Sequence, residues 1–402
     1  MTVTQQQSRA STALAEAGFL TPAEQATIVK LNAQRDDLMG YFVERQDVVD
    51  AMFCAKLAKS HVILIGPPGT AKSYLIESFA RGFLGERFFG WQVTKFSTPE
   101  ELFGPYSLAE LKKGNYTRVT AGKLPEAYVV YLDEVFNANS SILNALNSAM
   151  NERVFEGQPI PLENVYGATN FIPTESNLVA FFDRFLFRFI VDPIHEERAF
   201  ATMLKCGPFQ ADASQVVTRA ELEALRTKIP KVDASPIYAP LVKLWQLLKT
   251  ESIFVSDRRF KWAIDAVRAR ALLNGRGACT EDDLLLLRHV LWSDKKEIPL
   301  AEITIMKAVS PIMARIKEYT DQAEDIRQKV QAADLDKKPE DMVKVTEGLT
   351  KLKEIALAIK TTMKENVLQP KVQEVAERIL KKVQDVRKEL LATKLDVSME
   401  DD

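Results

Sequence analysis

The chain has 402 residues, with 53 Lys and Arg against 55 Asp and Glu and a formal charge of −2 at pH 7. That near-neutral balance argues against a standing affinity for polyanions, and 46% hydrophobic residues is an ordinary globular composition, long enough for two or three domains. Three cysteines (Cys54, Cys206, Cys279) and three histidines (His61, His195, His289) show no metal-ligand spacing, which points to buried thiols in a reducing cytoplasm.

Met1 to Arg9 is polar and glutamine-rich, unlike a secretory signal, and no apolar stretch approaches the roughly 18 residues needed to span a bilayer. Residues 1–20 read as a flexible N-terminus. Thr21-Pro22 then starts a helix, with threonine as cap and proline in the first turn. The first chemical signal follows the apolar run Val62-Ile63-Leu64-Ile65. Residues Gly66, Pro67, Pro68, Gly69, Thr70, Ala71, Lys72 and Ser73 form a glycine-rich turn between a buried strand and a helix. Backbone N–H groups in such a turn converge on the β- and γ-phosphates of a nucleoside triphosphate, and the next helix offers its positive end. Lys72 adds a point charge between the two phosphates, and the Ser73 hydroxyl is placed to ligate Mg²⁺. Tyr74 follows directly and joins the candidate nucleotide-binding residues. Ala71 stands where the usual pattern has a second glycine. It is expected in a right-handed conformation where the loop becomes helix, which alanine accepts.

Tyr128-Val129-Val130-Tyr131-Leu132 is a continuous apolar run, as a strand buried on both faces requires, and it ends in Asp133-Glu134. Two acids there serve either a cation and a water or a plain strand-to-helix cap. In the first reading Asp133 holds the Mg²⁺ hydration shell and Glu134 takes a proton from the attacking water. A third strand, Asn164 to Thr169, ends in Asn170, either a water-orienting amide or a turn residue. Arg184 and Arg188 lie within an aromatic-rich run, Phe181 to Phe189. Either they pair internally or one projects across a subunit boundary onto a neighbour's γ-phosphate. Val255 to Phe260 opens an amphipathic helix whose Arg258 can reach back to the nucleotide.

The order Gly66–Ser73, Asp133-Glu134, Asn170, Arg184, Arg258 resembles the AAA+ ATPases. Phe96 to Pro105, Leu124 to Ala127, Asn151-Glu152-Arg153, Val255 to Phe260, Leu272 to Arg276 and Leu291-Trp292 resemble the MoxR branch and, within it, the RavA group. The resemblance covers residues 20 to 310. It implies an ATP- and Mg²⁺-dependent ring, usually a hexamer, that remodels or activates a partner with a von Willebrand factor A (vWA) domain, often with metal or cofactor insertion. It further implies Asn170 as sensor 1, Arg184 as the arginine finger with Arg188 as runner-up, and Arg258 as sensor 2. Two stretches, Tyr106 to Lys123 around Lys112-Lys113-Gly114-Asn115 and Arg153 to Leu162 turning at Glu156-Gly157-Gln158-Pro159, resemble the helix-2 insert and the hairpin before sensor 1. The alternative is two surface hairpins without a partner.

The expected fold is therefore α/β: a P-loop AAA+ αβα core with a parallel sheet over 21–205, a linker over 206–236 marked with Pro240 by Pro230 and Pro236, an all-α lid over 237–312, and a helical or coiled-coil extension over 313–402. In that extension Val345, Leu349, Leu352, Ala356, Ile359 and Met363 form a narrow apolar seam. Ala376, Ile379, Val383, Val386 and Leu390 form another after Pro370. They read as an antiparallel hairpin joined near Gln369-Pro370, with the helix of 301–335 as a candidate third member, either stabilising the lid or recruiting a partner. About ninety helical residues cannot supply the β-rich module of the RavA group. Competing functions are a nucleic-acid translocase, disfavoured by the charge balance, and an ATP-assembled scaffold.

Overall fold

The structure, a computed structural model, describes residues 18–309, 311–332, 341–365 and 370–395. Residues 1–17 of the expected flexible N-terminus, and Gln369 at the expected hairpin junction, lie outside the described residues. The chain forms two compact units, Met1–Ala301 and Glu302–Asp402, so the first ends short of residue 312, where the lid was expected to stop.

In the first unit, Thr21 caps helix α1 (Pro22–Tyr41). Its hydroxyl accepts from the Glu24 N–H while the Glu24 carboxylate accepts from the Thr21 N–H, and Pro22 occupies a position that needs no N–H. Helix α2 (Gln46–Ala58) buries nearly every residue from Val48 to Leu57 and leads into strand β1 (Val62–Ile65). Four further strands, β2 (Phe88–Gln92), β3 (Val129–Asp133), β4 (Asn164–Thr169) and β5 (Phe187–Ile190), complete a sheet of order β2-β3-β4-β1-β5. All its pairs are parallel, with Leu64 opposite both Ala168 and Phe189. β1 and β4 are buried throughout, which explains their unbroken apolar sequence. The order sets the site. β4 lies between β1 and β3, so Asn170 emerges between the phosphate loop and Asp133-Glu134, all at carboxyl ends of strands. Helices α3 (Lys72–Ala80), α4 (Ser140–Glu152), α5 (Ser176–Phe182) and α6 (Glu197–Lys205) follow β1, β3, β4 and β5 respectively.

Of residues 206–236, expected as a linker, the stretch from Val217 on is instead a packed part of this unit. Val217-Thr218 pairs with Phe83-Leu84, and helix α7 (Arg219–Arg226) buries Leu222, Leu225 and Arg226. The overlooked signal is the capping box of Thr218 and Glu221 ahead of two leucines. Arg226 and Arg219 donate to Glu163 at 2.8 and 2.7 Å, and Lys56 donates to Glu86 at 2.8 Å, so an ion network ties α7 to α2 and the start of β4. Pro236 and Pro240 lie inside helix α8 (Ser235–Thr250) rather than in a connector. Proline is tolerated in the first turn, and Pro240 forfeits one backbone bond just beyond it. Helix α9 (Asp257–Leu273) and a 3₁₀ segment, Glu281–His289, capped by Thr280 and Asp283, follow, and a helix, Ile298–Val309, spans the division at Ala301.

From Pro311 on, the described residues of the second unit form three helices, α10 (Pro311–Gln331), α11 (Asp341–Glu365) and α12 (Pro370–Leu395). The expected seams meet in one core: Val345, Leu349, Leu352 and Ile359 pack with Val383, Val386 and Leu390, and α10 adds Ala323 and Val330. The third member is therefore present. A Cβ on Gly348 would lie 2.5 Å from Val330 Cγ2, so the glycine permits the close approach of α11 to α10.

Candidate nucleotide site

The loop between β1 and α3 is held by its own backbone. The Gly66 N–H donates to Thr169 O at 2.9 Å, and a Cβ on Gly66 would collide with the Val191 carbonyl. Lys72 turns back over the loop, its ammonium donating to Gly66 O and Pro67 O at 2.8 Å each. Burial lowers its pKa, while Asp133 and Glu134 raise it, so both acids lie within electrostatic reach of the lysine. The Ser73 and Tyr131 hydroxyls share a hydrogen bond of 2.7 Å. Ala71 corrects the expectation set for it: it caps α3 in the left-handed region, φ 62° and ψ 24°. The chain must reverse its hand there to aim the next N–H groups inward, which is why glycine is usual and why alanine costs about 1–2 kcal/mol.

Asp133 ends β3 half-buried and accepts from the Glu134 N–H at 3.0 Å. Glu134 is itself left-handed, at φ 50°. Burial raises its carboxyl pKa and Asp133 raises it further, with Lys72 opposing. A raised pKa beside a second acid suits a group that must accept a proton. Asn170 stands exposed immediately after β4.

Beside the loop lies a cavity of 480 Å³ lined by Pro68 to Lys72, Tyr74 and Leu75, together with Tyr41 to Val43, Arg45, Val191, Pro193, Ile194, Phe200, Met203 and Cys206. Tyr74 meets Tyr41 there at 3.4 Å and accepts from the Phe209 N–H at 2.6 Å, and that contact with Tyr74 pushes the Tyr41 hydroxyl up to about 12. The Glu44 carboxylate accepts from the N–H groups of His195 and Glu196, fixing the start of α6 over the cavity. Sequence reasoning missed this wall because it comes from two segments on either side of the loop, neither with a motif. The cluster Tyr41-Phe42 at the end of α1 was its only visible trace.

The arginines separate. Arg188 is 1% exposed, lies over the Phe182 ring at 3.8 Å and donates to the carbonyls of Phe182, Phe185 and Trp292. It is an internal strut and cannot project across a boundary. Arg259 joins it, donating to Trp292 O and to Asp183 at 2.6 Å. Arg184, at the end of α5, instead lines a 150 Å³ cavity with Lys59, His61, Asn151, Arg153, Trp262 and Asp265. Burial lowers its pKa and the nearby charge of Arg258 lowers it further. Arg258 thus lies within electrostatic reach of Arg184, and among the described residues lining the Lys72 cavity there is none from α8 or α9.

The two inserts touch each other. Tyr106 and Arg118 bridge the ends of the first, which carries a short helix, Leu108–Leu111, rather than a plain hairpin. Val154-Phe155 and Gln158-Pro159 pair in the second, turning at Glu156 and Gly157 with φ 47° and 78°. Arg118 donates to Glu156 at 2.8 Å.

A parallel sheet with β4 inserted between the phosphate-loop strand and the Asp-Glu strand, followed by a helical lid, is the architecture of the AAA+ class. The first unit also matches known proteins in detail. Residues 29–230 match a model of the MoxR domain found in MoxR–vWA–beta-propeller ternary systems, and residues 236–303 match an AAA lid domain. The chain belongs to the MoxR family of AAA+ ATPases. An uncharacterised protein of Methanocaldococcus jannaschii is 33% identical over 89% of this chain and 95% of its own. Chaperone MoxR1 of Mycobacterium tuberculosis is 27% identical over 46% of this chain and 50% of its own. A solved structure of a candidate ATPase from Cytophaga hutchinsonii has the same fold, with a TM-score of 0.56 at 18% identity over 71% of this chain and 96% of its own. No helix among the described residues is long and apolar enough to cross a membrane.

Proposed function

We propose that the chain binds ATP with magnesium at Gly66–Ser73, hydrolyses it in a ring of its own copies, hexameric by family resemblance, and uses the cycle to remodel or activate a protein carrying a vWA domain. The observation that carries the catalytic part is the convergence of Lys72, Ser73, Asp133 and Glu134 on one edge of the sheet. Ser73 and Asp133 would hold the magnesium ion, whose charge offsets that of the phosphates when bound. Lys72 exchanges two carbonyl partners for phosphate oxygens. Glu134, with its raised pKa, accepts the proton of the attacking water, and Asn170 orients that water from the next strand end. Thr70, Ala71 and Tyr74 line the cavity that takes the rest of the nucleotide. Arg184 lines a second cavity, apart from the one beside Lys72, which supports its acting on the nucleotide of a neighbouring copy. The partner class is supported by the matched family model, which describes MoxR domains from systems with a vWA protein.

Capture from the native host's lysate tests both halves. Glu134→Gln should bind ATP, lose turnover by about 10²–10⁴ and retain a vWA protein that Lys72→Ala, unable to bind nucleotide, does not. Full turnover in Glu134→Gln would remove it from the chemistry. Equal recovery of the vWA protein by both variants would separate partner binding from ATP.

A further inference from the structure

Asn151-Glu152-Arg153 carried part of the family resemblance, yet none of the three takes part in the hydrolytic scheme. The structure gives two of them partners. Arg153 ends α4 in the left-handed region, φ 56°, and its guanidinium donates to Lys59 O at 2.9 Å and Glu163 O at 3.1 Å and meets His61 Nε2 at 3.1 Å. His61 is itself fixed, because its Nδ1 accepts from the Val165 N–H at 3.0 Å. The end of α4 is thereby pinned to the loop before β1 and to β4. Two residues earlier, Asn151 faces Arg184. The amide orientation that satisfies both partners turns the Asn151 oxygen to the guanidinium, where it accepts from Arg184 Nε at 2.9 Å and Nη2 at 3.1 Å. Arg184 Nη1 donates to Ala180 O.

We propose that Asn151 is a positioning residue for Arg184, holding its guanidinium aimed outward for a phosphate of the neighbouring copy; this rests on the reading of Arg184 as a trans-acting group. The chemistry favours an amide over an acid. A guanidinium has five N–H donors, and three are taken by Asn151 and Ala180. The remaining pair can form a fork for a phosphate, the geometry in which arginine binds anions best. A carboxylate at position 151 would orient the side chain equally well but neutralise it. Asn151 is neutral, and among the described residues Arg184 forms no salt bridge: neighbouring Asp183 acts on it only through space while pairing with Arg188 and Arg259, so the Arg184 charge stays available. Asn151 is also exposed, so trimming it opens no core cavity.

The test is steady-state ATPase kinetics with thermal melting on assembled full-length rings, for Asn151→Ala, Asn151→Asp, Arg184→Ala and the Asn151→Ala/Arg184→Ala double variant. Asn151→Ala should lower kcat roughly tenfold to hundredfold with KM and melting temperature unchanged. Asn151→Asp should lose at least as much despite its matching shape, and the double variant should be no worse than Arg184→Ala alone. Wild-type kcat in both Asn151 variants beside an inactive Arg184→Ala would overturn the positioning role alone, as would additive losses in the double variant. Wild-type kcat in Arg184→Ala would instead remove the reading beneath it. Should Asn151→Ala melt early, Asn151→Asp decides, because it keeps the shape and changes only the charge.

Discussion

Arginine serves two opposite ends in this molecule, and the contrast lies in what surrounds it. Around Glu163, the side chains of Arg219, Arg226 and Lys59 lie within 3.4 Å of a carboxylate that is 3% exposed, and Glu86 takes Lys56. Those charges are matched inside the fold. Around Arg184 the match is looser: Arg258 adds like charge, Asp183 opposes it only through space, and the hydrogen-bond acceptors are an amide and a carbonyl. A buried cation must be paired to be tolerated. A half-buried cation that no carboxylate binds directly is suited to an anion that arrives from outside.

The largest expected effect breaks the contrast at its open end. Arg184→Ala should lower turnover by about 10³–10⁵ while leaving nucleotide affinity and melting temperature alone. Rings mixing this variant with Glu134→Gln subunits should regain activity, since some boundaries then pair an intact Glu134 with an intact Arg184. Failure to regain it would place Arg184 within its own subunit's mechanism or make it structural.

At the matched end the effect is on stability and is set by pH. Burial raises the Glu163 pKa, but Arg219, Arg226 and Lys56 outweigh it and hold the carboxyl at about 2, from an ordinary 4.5. A depressed carboxyl contributes stability that is present above the unfolded value and is lost as pH falls through the folded one. The difference in unfolding free energy between wild type and Glu163→Gln should therefore shrink as pH drops from 4.5 towards 2, by on the order of 3 kcal/mol. Denaturation curves across that range measure it; a difference independent of pH would mean that the network does not act through the charge of Glu163.

The same contrast explains what could be read from sequence. Gly66–Ser73, Asp133-Glu134 and Asn170 are legible because each sits at the end of an apolar run, and parallel strands gather such ends at one edge. Arg184 and Arg188 are not separable that way. Four residues apart among phenylalanines, they differ only in that one ends a helix and the other enters β5, where Trp292, a hundred residues on, supplies a carbonyl. The wall formed by Tyr41, Arg45, Ile194 and Phe200 is likewise a product of tertiary packing. Within residues 206–236, prolines and polar residues mask a capped, two-leucine helix. Both seams of the second unit were legible because periodicity is local and continuous there.

The smallest effect concerns the conformation that sequence reasoning placed wrongly. Ala71 sits at φ 62° and is exposed, so its methyl group gains little by packing and bears the left-handed cost. Ala71→Gly removes about 1–2 kcal/mol of that cost but frees the unfolded chain by about 0.4–1 kcal/mol. The balance runs from about zero to a gain of about 1.6 kcal/mol, read as a denaturation midpoint that holds or rises at unchanged slope. ATP affinity should hold or rise slightly, since glycine adopts the same turn without strain. A lower midpoint would show that the methyl group makes a contact worth more than the strain. If ATP affinity also fell, alanine would be stiffening the loop in its phosphate-binding shape, and its departure from the usual glycine would be a feature of the site rather than a tolerated cost.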